Sequence, residues 1–380
     1  MAKTKPTTTA RKTAGVTQPH YEALQVNLHV SNPVNLIGEP GTGKTTVTNL
    51  IAQTNEWHIH TILPSIMEPQ DIMGFPAVDG GVTTYAPLHW AVELAAQENA
   101  LLFIDELSTA GPAMMKPCLR IIHERVVGEK KLGKGVRIVT AMNPVDSAVG
   151  GMDLPPALAN RMCHVPWTQP GGTVASGLIG QWPATNPLNL DPEWETHVPR
   201  YAAIVSAFLN RRPEFENSMP TGAQANKASG PWPSGRSWEM VVNLLAGCHG
   251  TNISAEGRLM LISGCVGEDA GLEFAGFEEN VDLPDPEDIL ADPKKAELPE
   301  RSDQTLAVVT AVSAAVTREV TPDRWVAALT YFGRLGEAGQ LDVAALGVRN
   351  IAGFQSEVGD VEPPSNLEVL MPILKEIGLL

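Results

Sequence analysis

Several common classes of protein are excluded by what this chain lacks. Nowhere in its 380 residues does an uninterrupted apolar run reach the roughly 18–20 residues that a membrane-spanning helix needs. Residues 1–17 hold no apolar segment, so no secretory leader is expected, and residues 1–18 read as a flexible basic tail. Four cysteines, Cys118, Cys163, Cys248 and Cys265, show neither paired metal spacing nor a disulfide framework, which suits a reducing cytoplasm. His58 and His60 would share one face of a strand, but no carboxylate or thiol stands at ligand spacing, so they are expected to be structural. Aromatics make up only 5% of the chain and the formal net charge is −16. Together these argue against a surface built as a platform for a polyanion, while leaving room for a local basic channel.

What is present is a soluble-type composition, 43% hydrophobic and 18% charged, long enough for two or three domains. From about 20 to 170, short apolar runs rich in β-formers alternate with helical patterns, as in a parallel α/β sheet. The expected strands are Val34–Ile37, Ile59–Leu63, Leu101–Ile104, Arg137–Ala141 and Cys163–Pro166, each nearly continuous as befits strands covered on both faces. A core at 19–170 is followed by a Gly- and Pro-rich linker at 171–194 and a helical part at 195–277. An acidic, Pro-rich stretch then opens a C-terminal helical region, 278–380. The apolar spacing predicts helices over Val198–Asn210, Ser237–Ala246, Ala255–Val266, Thr305–Thr317, Asp323–Gly336 and Leu367–Ile377. Trp182, Trp194, Trp232 and Trp238 are expected to serve the core of this helical part more than an interface.

The first motif is Gly38-Glu39-Pro40-Gly41-Thr42-Gly43-Lys44-Thr45, followed by Thr46, between a strand and a helix. A glycine-rich turn brings backbone N–H donors close to phosphates without Cβ clashes, and the following helix adds its positive end. Lys44 supplies a point charge for the β- and γ-phosphates and Thr45 a hydroxyl for Mg²⁺. The second motif, Leu101-Leu102-Phe103-Ile104-Asp105-Glu106, is an apolar strand ending in two acids. Asp105 is expected to hold Mg²⁺, and Glu106 to polarise the attacking water.

These motifs resemble the AAA+ superfamily, in the branch that holds MoxR-like proteins, magnesium chelatase subunits and McrB-like GTPases, over roughly residues 20–275. The resemblance implies an AAA+ core with a five-stranded parallel sheet, an α-helical lid and a C-terminal helical extension. It also implies ATP rather than GTP as the nucleotide, bound with Mg²⁺ between subunits of a hexameric ring. Asn143, at the end of Val139-Thr140-Ala141-Met142, matches the sensor-1 asparagine. Arg161, in Leu154-Pro155-Pro156-Ala157-Leu158-Ala159-Asn160-Arg161-Met162, matches the arginine finger given to a neighbour, although Asn160 and Met162 replace the usual Asp and Phe. Arg236, in Ser234-Gly235-Arg236-Ser237-Trp238, resembles sensor 2 and is expected to touch the phosphates of its own subunit; Gly235 replaces the usual Pro. The segments Asp71–Gly74 and Val78–Tyr85 resemble the helix-2 insert, with Asp79-Gly80-Gly81 as a hairpin turn. A second hairpin is expected around Val127–Val136, bearing Lys130, Lys131, Lys134 and Arg137 toward an axial channel.

The resemblance implies a machine that remodels or matures a protein partner, and proteins of this type are often paired with a von Willebrand factor A-domain protein. Two alternatives stay open: a McrB-like nucleotidase or nucleic-acid-linked motor, and a nucleotide-gated scaffold that hydrolyses slowly. The low aromatic content and acidic balance speak against the nucleic-acid reading. The presence of Glu106, Asn143 and Arg161 together speaks against a dead site.

Overall fold

The computed structural model describes residues 18–144, 147, 151–169, 175, 178–179, 188–279, 283–299, 301–359 and 361–376. Five parallel strands, β1 Val34–Ile37, β2 His58–Ile62, β5 Ala100–Ile104, β8 Val136–Met142 and β9 Cys163–Pro166, build the central sheet. Their order across it is β2-β5-β8-β1-β9. Register is set by pairs such as Leu36 with Ala141 and Leu36 with Val165. Strand residues alternate between two apolar clusters. Val34, Leu36, Leu101, Phe103, Val139, Ala141, Cys163 and Val165 face one, while Leu102, Ile104, Ile138 and Met142 face the other. Burial on both faces explains the uninterrupted apolar runs, each large side chain contributing roughly 1.5–3 kcal/mol.

Helices α1 (Pro19–His29) and α2 (Lys44–Thr54) cover the first face, and α4 (His89–Ala95) and α5 (Pro112–Glu124) the second. The short helices α3 (Gln70–Met73) and α6 (Pro156–Ala159) complete the α/β core. The phosphate loop follows β1, the acidic pair follows β5 and Asn143 follows β8, so all three leave the same, C-terminal end of the sheet.

The inserted hairpin forms as the Asp-Gly-Gly turn demands: β3 (Phe75–Asp79) pairs with β4 (Val82–Ala86), with Asp79 opposite Val82. The second hairpin is shorter than expected, only β6 (Val126–Val127) and β7 (Lys130–Lys131). Lys130, Lys131 and Lys134 are exposed, but Arg137 is not part of this basic turn. It lies in β8, with its guanidinium 3.8 Å from the centre of the Trp57 ring and its Nε donating to the Leu28 carbonyl at 2.9 Å. A planar cation with five donors can be satisfied inside a fold by a ring face and carbonyls, which a count of basic residues does not reveal.

Beyond the core, helices Val198–Arg211, Gly235–Gly247, Ala255–Val266 and Glu268–Glu278 pack together around Phe208, Trp238 and Phe274. Ser234 starts the second of these with a reciprocal capping box to Ser237. Trp238 is buried as expected, Trp194 and Trp232 are half-buried, and Trp182 lies outside the described residues. Helices Ser302–Arg318, Pro322–Glu337 and Leu341–Ala352 continue the same apolar cluster, so core, lid and C-terminal region share one buried body. The helix expected over Leu367–Ile377 is instead a 3₁₀ turn, Ser365–Leu370, followed by a short α-helix, Met371–Glu376. Pro372 has no N–H to continue the earlier turn, so the geometry changes there.

Candidate functional site

The phosphate loop is braced from below by β9 and by Trp167, the residue next after that strand. Gly38 lies so near the Trp167 carbonyl that a Cβ would meet that oxygen at 2.1 Å. The Trp167 indole N–H donates to the Thr42 carbonyl at 3.0 Å, and Trp167 itself is buried against His20 and Tyr21. Gly41 and Gly43 take left-handed backbone, φ 80° and 81°, which a β-carbon would oppose. Thr42 closes the turn on the Glu39 carbonyl, and the Glu39 carboxylate accepts from Ser147 at 2.7 Å. Pro40 and Thr46 are exposed at its rim.

Lys44 is buried, and its ammonium donates to the carbonyls of Gly38 (2.6 Å) and Glu39 (3.0 Å) and to Asn143 Oδ1 (3.0 Å). Burial pulls this ammonium below the usual lysine value, with Asp105 and Glu39 pulling the other way. Thr45 Oγ1 donates to Asp105 Oδ2 at 2.8 Å, and Asp105 Oδ1 accepts from the Glu106 N–H at 2.9 Å. A hydroxyl and a carboxylate in contact are the hard oxygen donors that Mg²⁺ prefers, so these residues fit that ion. Glu106 takes φ 56°, an uncommon conformation for glutamate, and its carboxylate accepts from Ser65 Oγ at 3.0 Å. Sequence reasoning missed Ser65, Ser147 and Trp167, because none belongs to a spacing pattern and each arrives only through tertiary packing.

Arg161 and Arg236 are elsewhere. Arg161 precedes β9, whose first residue Cys163 pairs with Val34 at the start of β1. The phosphate loop leaves the far end of that four-residue strand, about 13 Å away along the sheet. Asn160 ties the two arginine segments together. Its Nδ2 donates to the Trp232 carbonyl (2.8 Å) and its Oδ1 accepts from Ser234 Oγ (2.7 Å). Arg236 is exposed and close enough to Arg161 to lower its pKa, after burial, and the His123 pKa on α5 is lowered by burial first and then by both arginines, with Glu124 opposing. Arg161 donates to the Ala157 carbonyl, while its buried Nε has no hydrogen-bond partner among the described residues. Arg236 therefore stands beside Arg161 and is not among the recorded hydrogen-bond partners of Lys44.

A buried polar chain runs from the middle of the sheet to the segment that carries Arg161. Asn35 in β1 accepts from Thr140 Oγ1 at 2.8 Å and faces His164 Nδ1 at 3.4 Å, while His164 Nε2 bonds the Ala159 carbonyl at 2.8 Å. Burial lowers the His164 pKa, so the ring is neutral and can accept at Nδ1 while donating from Nε2.

Residues 33–162 match the family model of the AAA domain, dynein-related subfamily, which covers about a third of the chain. The chain is 27% identical over 178 residues to RuvB of Kosmotoga olearia, a Holliday junction branch migration complex subunit; the match spans 47% of this chain and 41% of that relative's length. Among solved structures, a Cytophaga hutchinsonii chain described as a candidate ATPase aligns at 16% identity and TM-score 0.43, covering 69% of this chain and 88% of that one. A point mutant of Thermotoga maritima RuvB aligns at 14% identity and TM-score 0.29, covering 80% and 83%. Strand order, phosphate loop, acidic strand end and family match define the domain at 33–162 as an AAA+ ATPase domain, which takes ATP with Mg²⁺. No helix among the described residues is long and apolar enough to cross a membrane.

Proposed function

We propose that this chain is one subunit of a ring ATPase of the MoxR-like type, with each ATP site shared by two subunits. The observation that carries the reading is the placement of Arg161 and Arg236 together, at the sheet edge opposite their own phosphate loop. Among the described residues neither arginine is recorded in an ion pair, so both are free to meet an anion that another subunit brings. Within one subunit, the backbone N–H groups of the loop 38–46, Pro40 excepted, and Lys44 bind the phosphates, and Thr45 and Asp105 hold Mg²⁺. Mg²⁺ when bound neutralises phosphate charge. Glu106 then orients the attacking water and accepts its proton, released from its bond to Ser65, and Asn143 fixes the water from the other side. Arg161 and Arg236 of the adjacent subunit stabilise charge on the transferred group.

The work done by hydrolysis is read from the hairpins. Phe75, Val78, Val82 and Tyr85 on β3 and β4 are exposed, at 55%, 77%, 63% and 44%. Glu129 of the second hairpin accepts from the Tyr85 N–H at 3.1 Å, so the two hairpins meet. An apolar tip on an acidic chain suits a protein partner, of which a von Willebrand factor A-domain protein is the one the family resemblance suggests. The RuvB relative favours a second reading, a motor on DNA. Duplex DNA raising ATP turnover at physiological salt would support that reading and displace the protein-remodelling one.

The shared site is tested by Mg²⁺-dependent ATP hydrolysis of Glu106→Gln and Arg161→Ala, alone and mixed. Near-dead single variants and a mixture that regains turnover are expected, because intact pockets meet intact fingers in mixed rings. Turnover independent of protein concentration and untouched by Arg161→Ala would overturn the proposal.

A further inference from the structure

Away from the phosphate loop, three side chains distant in sequence converge where the lid meets the C-terminal region. His197 closes the 3₁₀ turn before helix Val198–Arg211, His249 follows helix Gly235–Gly247, and Asp285 caps helix Pro286–Ala291. One ligand atom from each lies within 4.8 Å of the other two. The imidazole centres are 4.0 Å apart. All three residues are half-buried.

The surroundings have the form of an outer shell. His197 Nε2 is 3.3 Å from the Asp191 carboxylate and His249 Nδ1 is 3.0 Å from the Tyr201 hydroxyl. Each ring thus has one nitrogen beside a polar partner, and among the described residues no hydrogen bond is recorded at Nδ1 of His197 or Nε2 of His249. An oriented outer nitrogen with a free inner one is how metal-bound imidazoles are held. Asp285 Oδ1 accepts the Glu287 N–H at 2.9 Å as the helix cap, which leaves Oδ2. Among the described residues, Oδ2 is also paired with the Arg200 guanidinium, at 4.0 Å, too far for a close hydrogen bond.

We propose that His197, His249 and Asp285 form a binding site for a divalent cation of the zinc class. Two imidazoles and one carboxylate suit that class, water completing the four-coordinate shell, and suit Mg²⁺ poorly. The ion would fasten the first lid segment, the second lid helix and the start of the C-terminal region to one point. Because the ligands are remote from Lys44 and Asp105, the proposal stands or falls independently of the ATPase mechanism.

The experiment is a Zn²⁺ titration of the full chain in excess Mg²⁺, by calorimetry, with thermal unfolding in parallel. Saturable binding of one Zn²⁺ per chain is expected, weakened at least about tenfold by His249→Ala and by Asp285→Asn. Asn still caps a helix, so Asp285→Asn keeps the fold while removing the charged ligand. At about a hundredfold excess over the wild-type Kd the wild type should melt roughly 3 °C higher, and Asp285→Asn should shift by about half of that or less. Absence of saturable wild-type binding below about 100 µM Zn²⁺, within reach of a two-His, one-carboxylate site, would overturn the proposal. So would equal affinity in wild type and Asp285→Asn.

Discussion

The two ends of the central sheet treat charge in opposite ways. At the C-terminal end every functional group is paired within the subunit: Lys44 with two carbonyls and Asn143, Thr45 with Asp105, Glu106 with Ser65, Glu39 with Ser147. At the N-terminal edge two arginines lie near each other and near His123, with no carboxylate recorded against either guanidinium among the described residues. Two guanidinium groups side by side repel each other, and an anion brought between them relieves that repulsion. The contrast is between an end whose groups are satisfied within the subunit and one that, in the proposed ring, a neighbour would complete.

The largest test of that contrast is Arg161→Ala. Turnover should fall by roughly 10³–10⁵ while nucleotide affinity, read by equilibrium binding, stays near wild type. A loss of affinity with unchanged turnover per bound ATP would place Arg161 in its own subunit's pocket and dissolve the comparison.

Next in size is a pH effect at the phosphate end. Burial beside Tyr21 and Trp167 lowers the His20 pKa to about 4 from 6.5. The folded state therefore prefers the neutral ring. Its stability contribution is complete above about pH 6.5 and is lost as pH falls through 6.5 toward 4, by on the order of 3 kcal/mol. Denaturant unfolding across that window should show this slope, and His20→Gln should flatten it. An unchanged slope would mean that another group carries the acid sensitivity.

Arg236→Ala should lower turnover roughly ten- to hundredfold, the worth of one charge-assisted hydrogen bond. Its defect should be rescued by mixing with Glu106→Gln, as for Arg161→Ala. Failure of that rescue, with Arg161→Ala rescued in parallel, would return Arg236 to its own subunit's phosphates.

The smallest effect tests the buried chain that leads to the Arg161 segment. Asn35→Leu leaves Thr140 and His164 without their shared partner and should destabilise the fold by about 1–3 kcal/mol. If Asn35 also positions the finger through His164 and Ala159, the variant should keep its own ATP binding yet serve a neighbour poorly in mixing assays. Full rescue by mixing would limit Asn35 to a structural role.

Much of the fold could be read from the chain. The strands fall within a residue or so of the apolar runs, and helix Ala255–Val266 has the expected ends, because parallel strands and amphipathic helices write their burial into local spacing. The phosphate loop and acidic strand end were legible for the same reason: their chemistry needs contiguous residues. Arg137 was misread as part of a basic turn, since only the fold brings Trp57 and the Leu28 carbonyl to it.

The amino-acid sequence by itself determined the nucleotide-binding motif, the strand pattern and the hairpin turn, which depend on neighbours one to eight residues apart. Tertiary structure alone decided which arginines stand together, what holds Glu106, how Trp167 supports the loop, and that His197, His249 and Asp285 meet. Those contacts join residues tens to more than a hundred positions apart, and no local periodicity records a distance that only the packing of separate elements creates.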